Sequence, residues 1–160
     1  MGSSCKTNEI MYTYIQSRFY RAPEIILGVE YTAAIDMWSF GCILCELYTG
    51  QPAFPGQDEN EQIGMFVEML GLPPKSLIDR AKRKKFFDAD GHLKPSTSGR
   101  SYKANNKSVK GHLMCKDKNF IDLVEKCLEW EPSRRIRPSE ALLHKWILDA
   151  LPTEVRTQHI

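Results

Sequence analysis

Two cysteines three positions apart, Cys42 and Cys45, form a C-x-x-C pair, a spacing used in redox centres and in zinc sites. A redox pair needs an exposed first cysteine at a helix N-terminus, whereas these two lie among large apolar side chains within a segment, residues 35–47, that predicts one helix. Zinc would need a second pair at useful spacing, and the other cysteines do not supply one: Cys5, Cys115 and Cys127. The sequence therefore predicts buried, reduced thiols in a cytoplasmic or nuclear protein.

Bulk charge and histidine placement exclude further classes of partner. The 160 residues contain 22 Lys and Arg against 20 Asp and Glu, a net charge of +2, which is too balanced for binding nucleic acid mainly through charge. No apolar run approaches the roughly 18 residues that a membrane helix needs. His92, His112 and His159 lie in polar or terminal stretches and predict no metal site. We therefore expect a globular protein with neither nucleic acid nor membrane as partner.

Basic side chains are concentrated in one part of the chain. No acidic residue occurs between Gly91 and Lys116, where Ser, Asn, Gly and Lys dominate. The basic run at 80–85 has two interpretations: a solvated helix face, which we favour, and a patch for nuclear import or for an acidic partner. We expect an irregular surface insert over residues 88–117.

The apolar pattern predicts an almost entirely helical chain with two irregular segments, residues 1–34 and 88–117. The expected helices cover residues 23–27, 35–49, 59–70, 75–84, 119–130 and a last segment from Pro138 to Ile147. The segment 35–49 has apolar side chains on nearly every face, so we expect that helix to be buried on all sides. Asp36, near its start, is expected to accept hydrogen bonds from the free amides there.

Four short motifs follow one another in a fixed order along the chain. They are A-P-E at 22–24, D-M-W-S-F-G at 36–41, Q-P-A-F-P-G at 51–56, and E-P-S-R-R at 131–135 continued by E-A-L-L-H-K-W at 140–146. In this order they resemble the second half of the protein kinase domain, from the end of the activation segment to the last helix. Glu131 departs conservatively from the family pattern, and Lys145 departs more strongly.

Two further stretches indicate the subgroup. Y-T-Y-I-Q-S-R-F-Y-R at 12–21 and C-L-E-W-E-P at 127–132 resemble the CMGC group of kinases, and most closely the dual-specificity tyrosine-phosphorylation-regulated kinases (DYRK family). The resemblance implies a mainly α fold, the C-terminal part of a kinase C-lobe with helices F to I and without an N-lobe. It implies a partial kinase domain at 1–150, with an activation segment at 1–24, a central buried helix at 35–49, a basic insert at 72–117, closing helices at 118–148 and a tail at 151–160.

The resemblance also implies roles for residues of the activation segment. In this family the second tyrosine of Y-x-Y is phosphorylated, which corresponds to Tyr14, and the guanidinium groups of Arg18 and Arg21 suit its phosphate. The ordered loop would form a shelf for the residue after the phosphoacceptor, where the family favours proline, with a basic residue upstream. Ser17 matches the position whose hydroxyl contacts the catalytic-loop Asp and Lys.

Other positions match residues with structural roles in the family. Glu24 and Arg135 match a buried ion pair that holds the activation segment to the lobe, and Asp36 matches the residue that caps the catalytic-loop backbone. The remaining matches are the final glycine of D-F-G, a packing tryptophan and a helix-end histidine without a catalytic role: Gly2, Trp38 and His144.

The motifs that bind ATP and Mg²⁺ in kinases are not found in this sequence, namely G-x-G-x-x-G, V-A-x-K and H-R-D. The resemblance therefore implies that a parent kinase uses ATP and Mg²⁺ on protein substrates, while this chain alone binds neither and is inactive without the N-terminal half. We favour a fragment of an active kinase. The alternative is a standalone, non-catalytic half-lobe that serves as a protein-binding module.

Overall fold

The computed structural model describes residues 16–96 and 99–152, which are mainly helical and confirm the expected fold class. The helices within this part of the chain are α1 (Pro23–Leu27), α2 (Ala34–Thr49), α3 (Glu59–Leu70), α4 (Lys75–Arg80), α5 (Val109–Leu113), α6 (Lys118–Cys127), α7 (Pro138–Leu142) and α8 (Lys145–Ala150). Two 3-10 turns, Arg18–Tyr20 and Lys84–Phe86, and one isolated β-bridge between Phe87 and Leu93 are also present. No helix in these two ranges has the length and apolar character needed to cross a membrane.

Helix α2 is the central element of the core. The fully buried indole of Trp38 stacks on Phe54, with ring centroids 6.0 Å apart, and meets Phe66 edge-on at 4.8 Å. Helix α6 crosses α2 so closely that a Cβ on Gly41 would lie 2.7 Å from Cβ of Cys127. Aromatic packing on one side and a close helix contact on the other therefore fix α2 within the lobe.

The start of α2 differs from the expectation for Asp36. Ala33 is the N-cap, no side chain caps the helix, and the Thr32 hydroxyl accepts the Ala34 N–H at 3.2 Å. Asp36 lies in the first turn, exposed, where its charge complements the positive end of the helix dipole.

The expected burial of α2 on all sides is wrong for this chain. Ile43, Leu47 and Tyr48 are 43%, 79% and 52% exposed. We call these three residues the open face of α2: Ile43 and Leu47, four positions apart, lie one above the other, and Tyr48 borders Leu47. An apolar helix thus has a covered side and an uncovered side within the same 160 residues.

Two helices confirm their predicted pattern. Helix α3 begins and ends at the predicted residues, and its side chains Ile63, Phe66 and Val67 are buried. Asp58 caps it by accepting the Glu61 N–H at 2.9 Å. The apolar stripe predicted for α6 is buried at every position: Phe120, Leu123, Val124, Cys127 and Leu128.

The single last helix predicted from Pro138 is wrong, because the structure divides it into α7 and α8. His144 interrupts the helix and caps α8, since its Nδ1 accepts the Trp146 N–H at 3.3 Å. Its Nε2 lies 2.8 Å from a carboxylate oxygen of Asp122 on α6. The break leaves Leu142 and Leu143 exposed, at 65% and 58%.

The segment 88–117 is less irregular and less exposed than predicted. It contains α5, and Tyr102 is buried against α3. A Cβ on Gly64 would lie 2.3 Å from Cδ2 of Tyr102, so the tyrosine ring occupies the space that a larger residue in α3 would fill. The Lys107 N–H donates to the Glu68 carbonyl at 2.9 Å, and its Nζ lies 2.8 Å from the Glu68 carboxylate. The segment is therefore docked on α3.

The interpretation of residues 80–85 as a solvated helix face is also wrong. Helix α4 ends at Arg80, and Ala81 is buried. Arg80 pairs with Glu131 at 2.6 Å, while Arg83 donates to both carboxylate oxygens of Glu59. Two of the arginines in the run therefore tie it to the rest of the lobe.

The open face of α2 predicts how the isolated chain behaves in solution. We expect Leu47→Lys to raise the soluble yield and to reduce binding of a hydrophobic dye, because it places a charge in the middle of an exposed apolar surface. Asn106→Lys, which adds the same charge at an exposed polar position, is the control and should change neither property. Equal dye binding by the Leu47→Lys variant and the unaltered chain would show that this face does not govern solubility.

Candidate functional site

The segment that precedes α1 is held by the side chain of Gln16. Its Nε2 donates to the Ile35 carbonyl at 2.9 Å and to Ser39 Oγ at 2.7 Å, and its Oε1 accepts the Ala22 N–H at 2.9 Å. The backbone of Gln16 has φ 70°, in the left-handed region that non-glycine residues rarely adopt. Three hydrogen bonds thus fix an unusual backbone conformation at the start of the described segment. Sequence patterns do not reveal this role, because an isolated glutamine has no distinguishing pattern.

The buried guanidinium of Arg21 lies between this backbone and α3. Its Nη2 donates to the Gln16 carbonyl at 3.1 Å, and its Nη1 lies 3.6 Å from Oε1 of Glu59. The left-handed turn directs the Gln16 carbonyl toward an internal donor. Arg21 therefore joins the segment to the first turn of α3.

Arg18 is exposed and contacts the loop that precedes α3. Its Nη1 donates to the Gln57 carbonyl, and its own carbonyl accepts from Nε2 of the fully buried Gln62 at 3.0 Å. Ser17 is exposed at the start of the 3-10 turn, and its carbonyl accepts the Tyr20 N–H at 3.0 Å. The side chains of Arg18 and Arg21 thus both reach the region where α3 begins.

Glu24 and Arg135 form a buried ion pair between α1 and the segment after α6. The two carboxylate oxygens accept from Nη1 at 2.7 Å and from Nη2 at 3.0 Å. The other donors of the guanidinium reach the carbonyls of Ala34 and Glu129, so all five N–H groups of Arg135 are used. Its carbon Cζ lies 5.3 Å from the ring centroid of Trp38, which packs in the core as the sequence predicts.

Two predicted residues, Gly2 and Tyr14, lie outside the described residues. Asp36 is within them, and its exposed carboxylate has no side-chain hydrogen bond to the described ranges. The tyrosine-phosphate role of Arg18 and Arg21 and the capping role of Asp36 therefore remain predictions.

The C-x-x-C thiols are inert, as predicted. Cys42, Cys45 and Cys127 are free and buried. Burial raises the pKa of Cys45 and of Cys127 to about 12, and burial beside Cys45 raises the pKa of Cys42. Raised pKa values favour the protonated thiols at neutral pH, which disfavours a role as thiolate nucleophiles.

One exposed turn brings three potential ligand side chains together, those of Asp88, Asp90 and His92. The Asp88 carboxylate accepts the backbone N–H of His92 at 2.8 Å and of Asp90 at 3.0 Å. These hydrogen bonds lower the pKa of Asp88. They account for the arrangement as a local turn, which needs no metal.

Comparison with known proteins identifies the family. Residues 1–147 match the family model described as the protein kinase domain. The chain belongs to the protein kinase family. It is 52% identical over 149 residues to dual specificity tyrosine-phosphorylation-regulated kinase 2 of Drosophila melanogaster, covering 91% of this chain and 21% of that protein. It is 51% identical over 149 residues to dual specificity tyrosine-phosphorylation-regulated kinase 4 of Homo sapiens, covering 91% and 29%.

A third relative is the probable serine/threonine-protein kinase dyrk2 of Dictyostelium discoideum, 50% identical over 161 residues, with 98% of this chain and 18% of that protein covered. The chain thus spans less than a third of the length of each of these three relatives. By family it is a serine/threonine-kinase transferase sequence of the DYRK type. The kinase resemblance found in the motifs is confirmed.

The ion pair between Glu24 and Arg135 gives a stability prediction for a hybrid kinase in which residues 1–147 replace the matched residues of the human relative. Arg135→Met should lower the free energy of unfolding by about 3–5 kcal/mol, because it leaves the Glu24 charge buried without its partner. Urea denaturation of the purified hybrid measures the change.

Two further variants control this prediction. Adding Glu24→Gln to Arg135→Met should recover part of the loss, since the unpaired charge is then removed. Arg80→Met, which breaks the more exposed pair with Glu131, should cost no more than about 1 kcal/mol. Equal losses for Arg80→Met and Arg135→Met would contradict a special role for the buried pair.

Proposed function

We propose that this chain is the substrate-binding part of a dual-specificity serine/threonine kinase, whose complete form autophosphorylates on tyrosine and transfers the γ-phosphate of ATP to protein substrates. The observation that carries the proposal is the match of residues 1–147 to the protein kinase domain together with about 50% identity to kinases of the DYRK type. The boundaries proposed within it follow the family: a partial domain at 1–150 with a basic insert at 72–117.

Protein kinases use ATP and Mg²⁺, and the residues of this chain do not fit that pair. The 160 residues contain no G-x-G-x-x-G, V-A-x-K or H-R-D motif. The one described group of metal-ligand side chains, at Asp88, Asp90 and His92, is exposed on a turn. We therefore assign to this chain the holding of the protein substrate and propose that the N-terminal half of the kinase domain supplies the nucleotide site.

The open face of α2 supports the proposal that the N-terminal half of the kinase domain packs against this chain. Its three side chains, Ile43, Leu47 and Tyr48, form an apolar surface beside a groove that Phe120 and Trp146 also line. An upstream half packed on this face would remove it from water, which is favourable in proportion to the apolar area covered.

Arg18 and Arg21 support the proposed role of Tyr14. Both belong to the segment that follows Tyr14 in sequence, and each donates to a backbone carbonyl: Arg18 to that of Gln57 and Arg21 to that of Gln16. A phosphate carries about −1.5 to −2 charges and pairs well with guanidinium forks. Phosphorylation would then add an ordering contact close to Gln16, whose side chain already holds the segment against the start of α2.

The engaged carbonyl of Gln16 supports a preference for proline after the phosphoacceptor. Arg21 already donates to this carbonyl, so it has a partner within the chain. A substrate residue docked here would leave its own N–H unpaired, at a cost of about 1–3 kcal/mol when buried. Proline has no N–H and avoids that cost.

We also propose a cytoplasmic or nuclear location. Its support is the reduced state of the four described cysteines, all buried and free of disulfides.

Activity should require both halves of the domain. The purified 160-residue chain with ATP and Mg²⁺ should incorporate no phosphate into itself or into a basic, proline-containing peptide, whereas the hybrid kinase should phosphorylate both Tyr14 and the peptide. In the hybrid, Tyr14→Phe should remove the phosphotyrosine found by mass spectrometry, while the control Tyr12→Phe should keep it. Phosphotransfer by the chain alone would contradict the proposal, and a monomeric chain with cooperative unfolding would favour the binding-module alternative.

Selection of proline should depend on Arg21. We expect the hybrid kinase to favour a peptide with proline after the phosphoacceptor over the same peptide with alanine. Arg21→Gln should reduce the ratio of the two kcat/KM values about tenfold, because the freed Gln16 carbonyl can then accept the alanine N–H. Arg80→Gln, which removes an arginine distant in sequence and paired with Glu131, should leave the ratio unchanged.

A further inference from the structure

The carboxylate of Glu59, the first residue of α3, is shared by three cationic side chains. Arg83 donates to both of its oxygens, Arg21 lies 3.6 Å from Oε1, and Lys85 lies 3.9 Å from Oε2. The Glu59 side chain is only 18% exposed, so solvent screens these contacts less than on an open surface. The Glu59 carboxylate thus joins the basic run at 80–85 to Arg21, the arginine that donates to the Gln16 carbonyl.

The backbone of Arg83 is fixed independently of its side chain. Its N–H donates to the Leu27 carbonyl at the end of α1, at 3.0 Å. A Cβ on Gly28 would lie 3.3 Å from Cγ of Arg83, so this stretch packs closely against the turn that ends α1. The forked contact from Arg83 therefore orients the Glu59 carboxylate from an anchored position.

The guanidinium of Arg21 has its two described contacts on opposite partners, the Gln16 carbonyl and the Glu59 carboxylate. An arginine fork is planar, so a contact at one nitrogen constrains the direction of the other. Removing the carboxylate takes away the contact at Nη1, and with it one constraint on the direction of the hydrogen bond from Nη2 to Gln16. The charge of Glu59 thus influences whether Arg21 keeps its hydrogen bond to the Gln16 carbonyl.

We propose that Glu59 is a positioning residue for substrate selection: oriented by Arg83, it holds Arg21 on the Gln16 carbonyl and so maintains the preference for proline after the phosphoacceptor. This inference rests on the proposed function. It adds that the basic run at 80–85 contributes to substrate selection through Glu59, a residue that contacts neither substrate nor nucleotide.

Kinetics of the hybrid kinase test the role of Glu59. Glu59→Gln should lower the proline-to-alanine ratio of kcat/KM about three- to tenfold, with the change appearing in KM rather than in kcat, since a binding contact is altered. The matched control is Glu131→Gln, which removes the carboxylate from the other arginine pair of the same basic run. That control should keep the unaltered ratio.

A charge swap distinguishes a role of Glu59 in positioning Arg21 from a role that is limited to a stabilising ion pair with Arg83. Glu59→Arg combined with Arg83→Glu can restore an ion pair between the two positions but places a cation beside Arg21. We expect the thermal midpoint to recover relative to Glu59→Arg alone, while the preference for proline stays reduced.

The outcomes distinguish this inference from the proposed function. Suppose that the unaltered hybrid prefers proline. The role of Glu59 is then overturned, and the proposed function is not, if the folded Glu59→Gln hybrid keeps the same ratio or if the charge swap restores the preference. A hybrid that phosphorylates both peptides equally with Glu59 in place would overturn the proline selection itself, and this inference with it.

Discussion

The ion pair between Glu24 and Arg135 is the constraint on which the rest of the segment depends. Both side chains are fully buried, and every donor of the guanidinium has an acceptor. Burying two charges is costly, and a pair of this kind gives little net stability compared with apolar residues of similar size. Its effect is positional: α1 has to stand where the carboxylate meets a guanidinium fixed by the carbonyls of Ala34 and Glu129. The place of α1 then sets the direction from which residues 16–22 approach α2.

The arginines of the lobe differ in their burial and in the acceptors that they contact. Arg135 is saturated and acts as a fixed part of the frame. Arg21 is buried but holds one carbonyl and one shared carboxylate, an arrangement that a charge change nearby can alter. Arg18 is exposed and contacts a loop carbonyl. One residue type thus occupies three environments, which differ in burial and in the acceptors around the guanidinium.

Local patterns in the sequence were sufficient to predict the helices, but they did not predict the long-range contacts. The bounds of α3 and the buried stripe of α6 follow from spacing alone, since each depends on residues within a few turns. The docking of Tyr102 on Gly64 joins positions far apart in sequence, so neither residue signals it by itself. The break at His144 was missed for a similar reason, because its cap is completed by Asp122 on another helix. At the candidate site, motif order identified Glu24, Arg135 and both arginines of the segment, but not Gln16 or Glu59.

Helix α3 connects the two parts of the lobe whose relation the sequence left open. Its first turn holds the segment that precedes α1, through Glu59 on Arg21 and through Gln62 on the Arg18 carbonyl. Its later turns hold the basic insert at 72–117: the Tyr102 ring packs on Gly64, and Lys107 forms an ion pair with Glu68. Helix α3 is capped by Asp58 and buries Phe66 between Trp38 and Trp130, so it is held as a rigid element. The 12 residues of α3 therefore contact both the segment that precedes α1 and the part of the chain that contains Tyr102 and Lys107.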